Sequence, residues 1–230
     1  MSVTVCVVVK DRRELMMRCL DGVLAQQPAP DEVVVVDNGS TDGTFEALQE
    51  RAATTAGLVV VRDTGSLGRA RNTAARTATS DVVAFTDSDC VPRGGWLAAG
   101  LTALVAGVGV VQGRTVPEHR PTVRWSATQD IPAASGLYEA CNVFYRRSAL
   151  LDAGGFDEEV GFFGEDTVAG WAVERAGWRS AWAPDAVVEH VVTTPGFRWH
   201  LWRRARPGPS PDGTGTRTRR GEQDHVRRHR

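Results

Sequence analysis

Asp87-Ser88-Asp89 closes an apolar run, Val82-Val83-Ala84-Phe85-Thr86, and is followed by Cys90-Val91-Pro92. Ionised carboxylates are rarely buried without a partner, so two of them at the end of a buried strand contribute nothing to a core. Residues two apart on a strand point to the same side. Two oxygen ligands converging there suit a hard divalent cation, Mg2+ or Mn2+. Mg2+ is usually held by one or two carboxylates together with substrate phosphates. The pair therefore reads in one of two ways. It is a metal–diphosphate site, or Asp87 is a turn or cap residue and Asp89 a solvated loop acid. A second acidic pair, Glu165-Asp166, precedes a helical pattern. On its own it would only cap that helix and favour its dipole.

The elements that must position these residues are legible in the hydrophobic pattern. Val3–Val9 is a β-branched run read as a buried strand, and Arg13–Gln26 places Leu15, Met16, Cys19, Leu20, Val23 and Leu24 at helical spacing. Pro28 and Pro30 break that segment. Glu32–Val36 is a second strand, ending in Asp37-Asn38-Gly39-Ser40. Thr41 or Asp42 caps a helix to about Thr54. Strands at Leu58–Val61 and Val82–Phe85 flank a helix over Leu67–Thr79. Continuous apolar strands alternating with helices predict an α/β chain with a parallel sheet covered on both faces. Ligands bind such sheets at the carboxyl ends of the strands, where Asp11, Asp37 and Asp87 all lie. The second half is less regular. It predicts a helix at Trp96–Val105, a strand at Gly107–Arg114 and a variable region at Pro117–Ser135. A strand at Asn142–Tyr145 and helices at Arg147–Asp152 and Thr167–Ala176 follow.

The chain has 230 residues, 42% of them hydrophobic, and a net charge of −1, so as a whole it is not a nucleic-acid binder. Between Arg198 and Arg230, ten Arg stand against three acids, a net of +7, which leaves −8 for the remainder. Four cysteines, none in a CxxC pair, favour a reducing compartment. No charged-then-apolar leader opens the sequence and no apolar run of about 18 residues could span a membrane. The expected location is cytoplasmic, or peripheral at the inner face of the membrane. No GxGxxG follows the first strand, and neither a P-loop nor a GxSxG elbow is present.

Five segments resemble family 2 glycosyltransferases, in family order: Val33-Val-Val-Val-Asp-Asn-Gly-Ser-Thr-Asp-Gly-Thr44, Leu67-Gly-Arg-Ala-Arg-Asn-Thr-Ala74, Asp87-Ser-Asp89, Arg146–Asp157 (RRSALLDAGGFD) and Phe163-Gly-Glu-Asp166. The similarity runs from about Val3 to about His190. It implies a GT-A fold, a Rossmann-like, mainly parallel sheet flanked by helices with an acceptor-binding second half. Residues 1–205 would form the transferase domain, with 1–92 binding the nucleotide sugar and 93–205 the acceptor, and 206–230 a disordered basic tail.

The resemblance also implies roles. Asp37 accepts a hydrogen bond from the base, typically uracil. Lys10 and Asp11 lie where the family contacts the nucleoside, although Lys10-Asp11-Arg12 replaces the common Pro-Thr-Tyr-Asn. Arg71 approaches the nucleotide, as a guanidinium suits phosphate oxygens. Asp87 binds the nucleotide, while Asp89 and the late His190 hold Mg2+ or Mn2+. Asn142, Gly155, Phe156, Asp157 and Glu165 line the acceptor pocket, and Asp166 is the catalytic base. The implied activity is an inverting, metal-assisted hexosyltransferase moving a sugar from a nucleotide diphosphate sugar, UDP-sugar favoured, to a saccharide or lipid-linked acceptor. The alternatives are a catalytically silent nucleotide-sugar-binding protein on the same fold and a sugar nucleotidyltransferase. The latter would want a Gly-rich basic loop after the first strand, and Lys10-Asp11-Arg12-Arg13 contains no Gly. Phe197–Arg206 interleaves aromatics with arginines. It reads as a final helix packing Trp199 and Trp202 onto the domain, or as an amphipathic helix on an anionic membrane.

Overall fold

The structure, a computed structural model, describes residues 1–121, 123, 126–159 and 164–194. Phe163, the 197–206 segment and the 206–230 tail lie outside these residues.

The first half alternates as read. β1 (Val3–Val9) leads to α1 (Arg13–Leu24), β2 (Glu32–Asp37) to α2 (Thr44–Ala52), β3 (Leu58–Arg62) to α3 (Leu67–Thr77), and β4 (Val82–Asp87) follows. β1 pairs in parallel with both β2 and β4, and β2 with β3. The chain thus runs outward on one side of β1 and returns on the other, which opens a crevice at the carboxyl ends of β1 and β4. Side chains alternate along each strand and sort onto two faces. Val3, Val5, Val7 and Val9 join Met16, Leu20 and Val23 of α1 in one core. Cys6, Val34, Val36, Val83 and Phe85 join Ala70, Ala74 and Ala75 of α3 in the other. Both faces are covered, which is why the middle of each strand is apolar on both alternations, with Thr4 of β1 the polar exception.

The second half adds β5 (Cys90–Pro92), α4 (Trp96–Ala103), β6 (Val108–Pro117), β7 (Asn142–Arg146), α5 (Arg147–Asp152), α6 (Glu165–Arg175) and β8 (Arg179–His190). One eight-stranded sheet results, in the order β3-β2-β1-β4-β7-β6-β8-β5. β7 is antiparallel to β4 and β6, β8 is parallel to β6, and β5 is antiparallel to β8. β5 and β8 were not expected from the sequence. β5 is three residues long. β8 contains Pro184, and its register against β6 jumps from Ala183 to Val187. A proline cannot donate to the ladder, and the extra residues bulge out around it. Such a strand shows no clean alternation. The described part of the 117–135 region is tied to the sheet by isolated bridges at Thr115–Ile131 and Ala127–Thr193. The four cysteines are free and buried. Among the described residues no helix is long and apolar enough to cross a membrane.

Candidate functional site

At the carboxyl edge, the loops after β1 and β2 are tied together. Asp11 adopts a positive φ of 50°. Its N–H donates to Ser40 Oγ (2.9 Å), and its Oδ1 accepts from Thr41 N–H (2.7 Å). Its exposed carboxylate therefore braces the two loops, and Lys10 beside it is exposed. Asp37, the last residue of β2, is wholly buried. Its Oδ1 accepts from Gly39 N–H (3.2 Å) and Ser40 N–H (3.1 Å) and faces Arg62 Nε at 3.3 Å. Its Oδ2 is buried with no hydrogen-bond partner, so one acceptor oxygen is left for a ligand donor such as a base N–H.

Arg71, on α3, is 5% exposed and lies between two carboxylates. Its Nη1 donates to Glu165 Oε1 and its Nη2 stands 3.4 Å from Asp87 Oδ1. The guanidinium carbon is 5.8 Å from the Phe156 ring centroid. Burial alone would lower the Arg71 pKa, but the charges of Asp87, Glu165 and Asp166 outweigh it and leave it raised. Burial pushes the Glu165 carboxyl up to about 7 against the pull of Arg71. Arg71 therefore stays charged, and Glu165 is the member of the pair that titrates. The guanidinium joins the end of β4 to the first turn of α6.

Asp89 is not presented by strand pleating, as its spacing from Asp87 suggested. Ser88 and Asp89 form a turn between β4 and β5, and it is this turn that aims the carboxylate. Asp89 Oδ2 accepts from Arg12 Nη1, whereas Oδ1 is buried without a hydrogen-bond partner and lies 3.7 Å from His190 Nε2. His190 arrives from the far end of the chain because β5 and β8 pair with Cys90 opposite His190. Its Nδ1 is 2.8 Å from the Val191 carbonyl oxygen. A carbonyl only accepts, so Nδ1 carries a proton, and Nε2 is the ring nitrogen turned towards Asp89. Asp89 Oδ1 and His190 Nε2, 3.7 Å apart, are too distant for a direct hydrogen bond. A cation between them resolves that arrangement, and the carbonyl-anchored ring is the usual support of a metal-binding histidine. Asp87 is engaged by Arg71, and Asp89 is the better placed ligand of the two.

On the acceptor side, Asp166 is half-buried in the first turn of α6. Its Oδ2 accepts from Ala140 N–H (3.0 Å) and its Oδ1 from Thr167 N–H (2.8 Å). These bonds fix the carboxylate while each oxygen keeps a lone pair. The 154–157 loop is clamped by Asn72. Its Oδ1 accepts from Phe156 N–H (2.8 Å), and its Nδ2 donates to Phe156 O (2.8 Å) and Glu158 Oε1 (2.9 Å). Gly155 has φ of 75°, and a Cβ there would stand 2.4 Å from Asn72 Oδ1. Phe156 is 1% exposed and packs against Phe85 and Tyr145, so it supports the site from behind. Asp157 Oδ1 accepts from Glu159 N–H (2.8 Å), and its carbonyl lies so close to α3 that a Cβ on Gly68 would meet it at 2.2 Å.

Asn142 requires a correction. It is fully buried and lines neither an acceptor pocket nor a solvent face. Its Nδ2 donates to Arg114 O and Ala186 O (2.8 Å each), and its Oδ1 accepts from Trp96 Nε1 (2.8 Å). β7 lies inside a sheet covered on both sides, so the polar position in its alternation points into packing. Sequence reasoning missed Arg12 as a partner of Asp89. The available signal was the basic Lys10–Arg13 cluster at a strand end.

A family model described as Glycosyl transferase family 2 matches residues 4–162. The chain is 27% identical to "Glycosyltransferase AglE" of Haloferax volcanii over 173 residues, 69% of this chain and 57% of that protein. It is 35% identical to the "Pre-mycofactocin glycosyltransferase" of Mycobacterium tuberculosis over 162 residues, 61% of this chain and 33% of the relative. The chain therefore spans less than two thirds of the length of either. Among solved structures it is similar to the mannosyltransferase PcManGT of Pyrobaculum calidifontis, determined in complex with GDP-Man and Mn2+. The TM-score is 0.67 at 27% identity, covering 87% of this chain and 59% of that one.

Proposed function

The chain belongs to glycosyl transferase family 2 and has its GT-A fold, and from that premise we propose that it transfers a sugar from a nucleotide diphosphate sugar to an acceptor hydroxyl with inversion. In this reading residues 1–92 are the donor half and 93–205 the acceptor half, and the described strands of both, β1 to β8, share one sheet. The observation that carries the reading is the Arg71 bridge. It gathers Asp87 of the donor half and Glu165-Asp166 of the acceptor half, far apart in the chain, into one charged cluster at the sheet edge.

The free oxygen of Asp37 takes a base N–H, which uracil offers, and the β1–α1 loop with Lys10 and Asp11 lies beside it. Asp89 and His190 hold a divalent cation, Mg2+ or Mn2+, which when bound supplies charge that neutralises the departing diphosphate. PcManGT, solved with GDP-Man and Mn2+, supports both the donor class and the cation. The acceptor hydroxyl gives its proton to Asp166. Its oxygen bonds to the anomeric carbon from the face opposite the leaving group. The carbon–oxygen bond to the diphosphate breaks, with its electron pair going to the nucleoside diphosphate. The Ala140 and Thr167 N–H groups keep the Asp166 carboxylate oriented. Gly155 and Asp157 shape the wall against which the acceptor rests, a saccharide or lipid-linked chain, and Phe156 and Glu165 support it from behind.

General-base assistance is worth roughly 10²–10⁴ in rate. Asp166→Asn should lower turnover by that order while donor affinity, measured by calorimetry, stays within a few-fold. Collapse of donor affinity with unchanged turnover of bound donor would remove Asp166 from the role. A thermal-shift panel of UDP- and GDP-sugars with Mn2+ identifies the donor, since a ligand of the folded state alone raises its stability.

A further inference from the structure

We propose that the Cys90 thiol joins Asp89 and His190 in a mixed sulfur, nitrogen and oxygen centre that takes a thiophilic divalent cation, Zn2+ or Co2+, more tightly than Mg2+. The inference rests on the reading that Asp89 and His190 hold a cation, and adds a residue to which no role has been given above.

Cys90 follows Asp89 in the chain and is the cross-strand partner of His190, so the β5–β8 pairing alone places the three together. One ligand atom from each lies within 4.8 Å of the others. A triangle with no longer side contains a point within about 2.8 Å of every corner, and ordinary Zn–S and Zn–N bonds of about 2.3 and 2.0–2.1 Å require the ligand atoms to move in by up to about 0.5–0.8 Å. A carboxylate oxygen of Asp89 is one corner, and its Oδ1 is buried without a hydrogen-bond partner. His190, 9% exposed, is held by the Val191 carbonyl through Nδ1. Hard oxygen sets suit Mg2+, whereas adding imidazole and thiolate shifts preference to Zn2+ and Co2+. The Cys90 thiol is wholly buried, and burial first, then Cys141 and the charges of Asp87 and Asp89, make it hold its proton tightly; on binding, the S–H bond breaks as the metal–sulfur bond forms, so the cation's charge must displace that proton to solvent. Three protein ligands leave a position open. Cys141 adjoins the Cys90 thiol but already meets Gln129 Oε1 (3.0 Å) and Thr115 Oγ1 (3.3 Å). It is therefore the matched control.

The test titrates Co2+ into the full chain without donor and follows thiolate-to-cobalt charge-transfer absorbance in the near ultraviolet, with Mn2+ binding followed separately by electron paramagnetic resonance. The wild type should show the band at one Co2+ per chain. Cys90→Ser should lose the band and about tenfold or more in Co2+ affinity, with Mn2+ affinity within about twofold, because sulfur matters to the soft ion only. Cys141→Ser should keep the band. Cys90→Ala provides the same reading should the serine variant melt early. Mn2+ binding without a thiolate band, or a band that survives loss of Cys90, overturns the thiol ligand alone. Absence of both Mn2+ and Co2+ binding overturns the cation reading of Asp89 and His190 itself.

Discussion

Arg71→Met removes the guanidinium that joins Glu165 to Asp87 and keeps much of the side chain's apolar bulk. Arg71 is 5% and Glu165 2% exposed, so solvent screens the pair little. Unit charges at this range interact by about 4 kcal/mol at an effective dielectric constant of 20. Removing one partner of a buried pair typically costs about 3–5 kcal/mol. A loss of about 4 kcal/mol is therefore expected at alkaline pH, a fall in Tm of about 8–16 °C for a chain of this size.

The pH dependence follows from Glu165, which burial already pushes up to about 7. Arg71 is the largest influence holding it down, so the variant's carboxyl titrates higher still. A raised carboxyl keeps its proton when folded and releases it when unfolded. Its stabilising contribution is full below the unfolded pKa and is lost as pH rises towards the folded one. Between the ordinary carboxylate pKa and about 7, wild type and variant decline together. Above that, only the variant continues to fall, by up to about 1.4 kcal/mol per pH unit. Urea denaturation at about pH 6 and pH 8.5 should thus find a deficit roughly 2 kcal/mol larger at the higher pH. Adding Glu165→Gln should erase that difference. A deficit below about 1 kcal/mol, or one equal at both pH values, would refute the claim that Arg71 compensates a buried charge.

Arg12→Ala should tighten Mn2+ binding. The Arg12 side chain is 45% exposed, so its pair with Asp89 is screened and worth about 0.2–1 kcal/mol. That corresponds to a gain of up to about fivefold, larger at low salt, and calorimetry showing weaker binding would exclude competition at Asp89. Asn142→Ala should leave the buried Trp96 indole N–H and Ala186 carbonyl, and the half-buried Arg114 carbonyl, without this partner. At about 1–3 kcal/mol for each buried unsatisfied group, the loss should exceed about 3 kcal/mol by chemical denaturation, with turnover per folded molecule unchanged. A large fall in turnover with intact stability would return Asn142 to the acceptor site.

Much of the donor half was readable from local pattern. The apolar runs at Val3–Val9 and Val33–Val36, the helical spacing from Met16 to Val23, and acids at three strand ends specify a two-sided parallel sheet with charge along one edge. Such signals are encoded within a few residues of chain, because strand alternation and helix periodicity depend only on which positions face a core. The five family segments extended that reading to Glu165-Asp166. What lay beyond sequence were relations between distant segments. Asp89 faces His190 only because a three-residue β5 pairs with β8, a strand interrupted by Pro184 and invisible as a pattern. Arg71, read as a phosphate partner, is buried between Asp87 and Glu165 because α3 packs closely on the 154–157 loop at Gly68. Asn142 looked like a pocket residue until the sheet closed over it. The types of chemistry were thus set by residue identity. Which carboxylate stays free, which is bridged and which faces the histidine was decided by tertiary packing, because long-range pairing and burial determine the partner and dielectric of each charge.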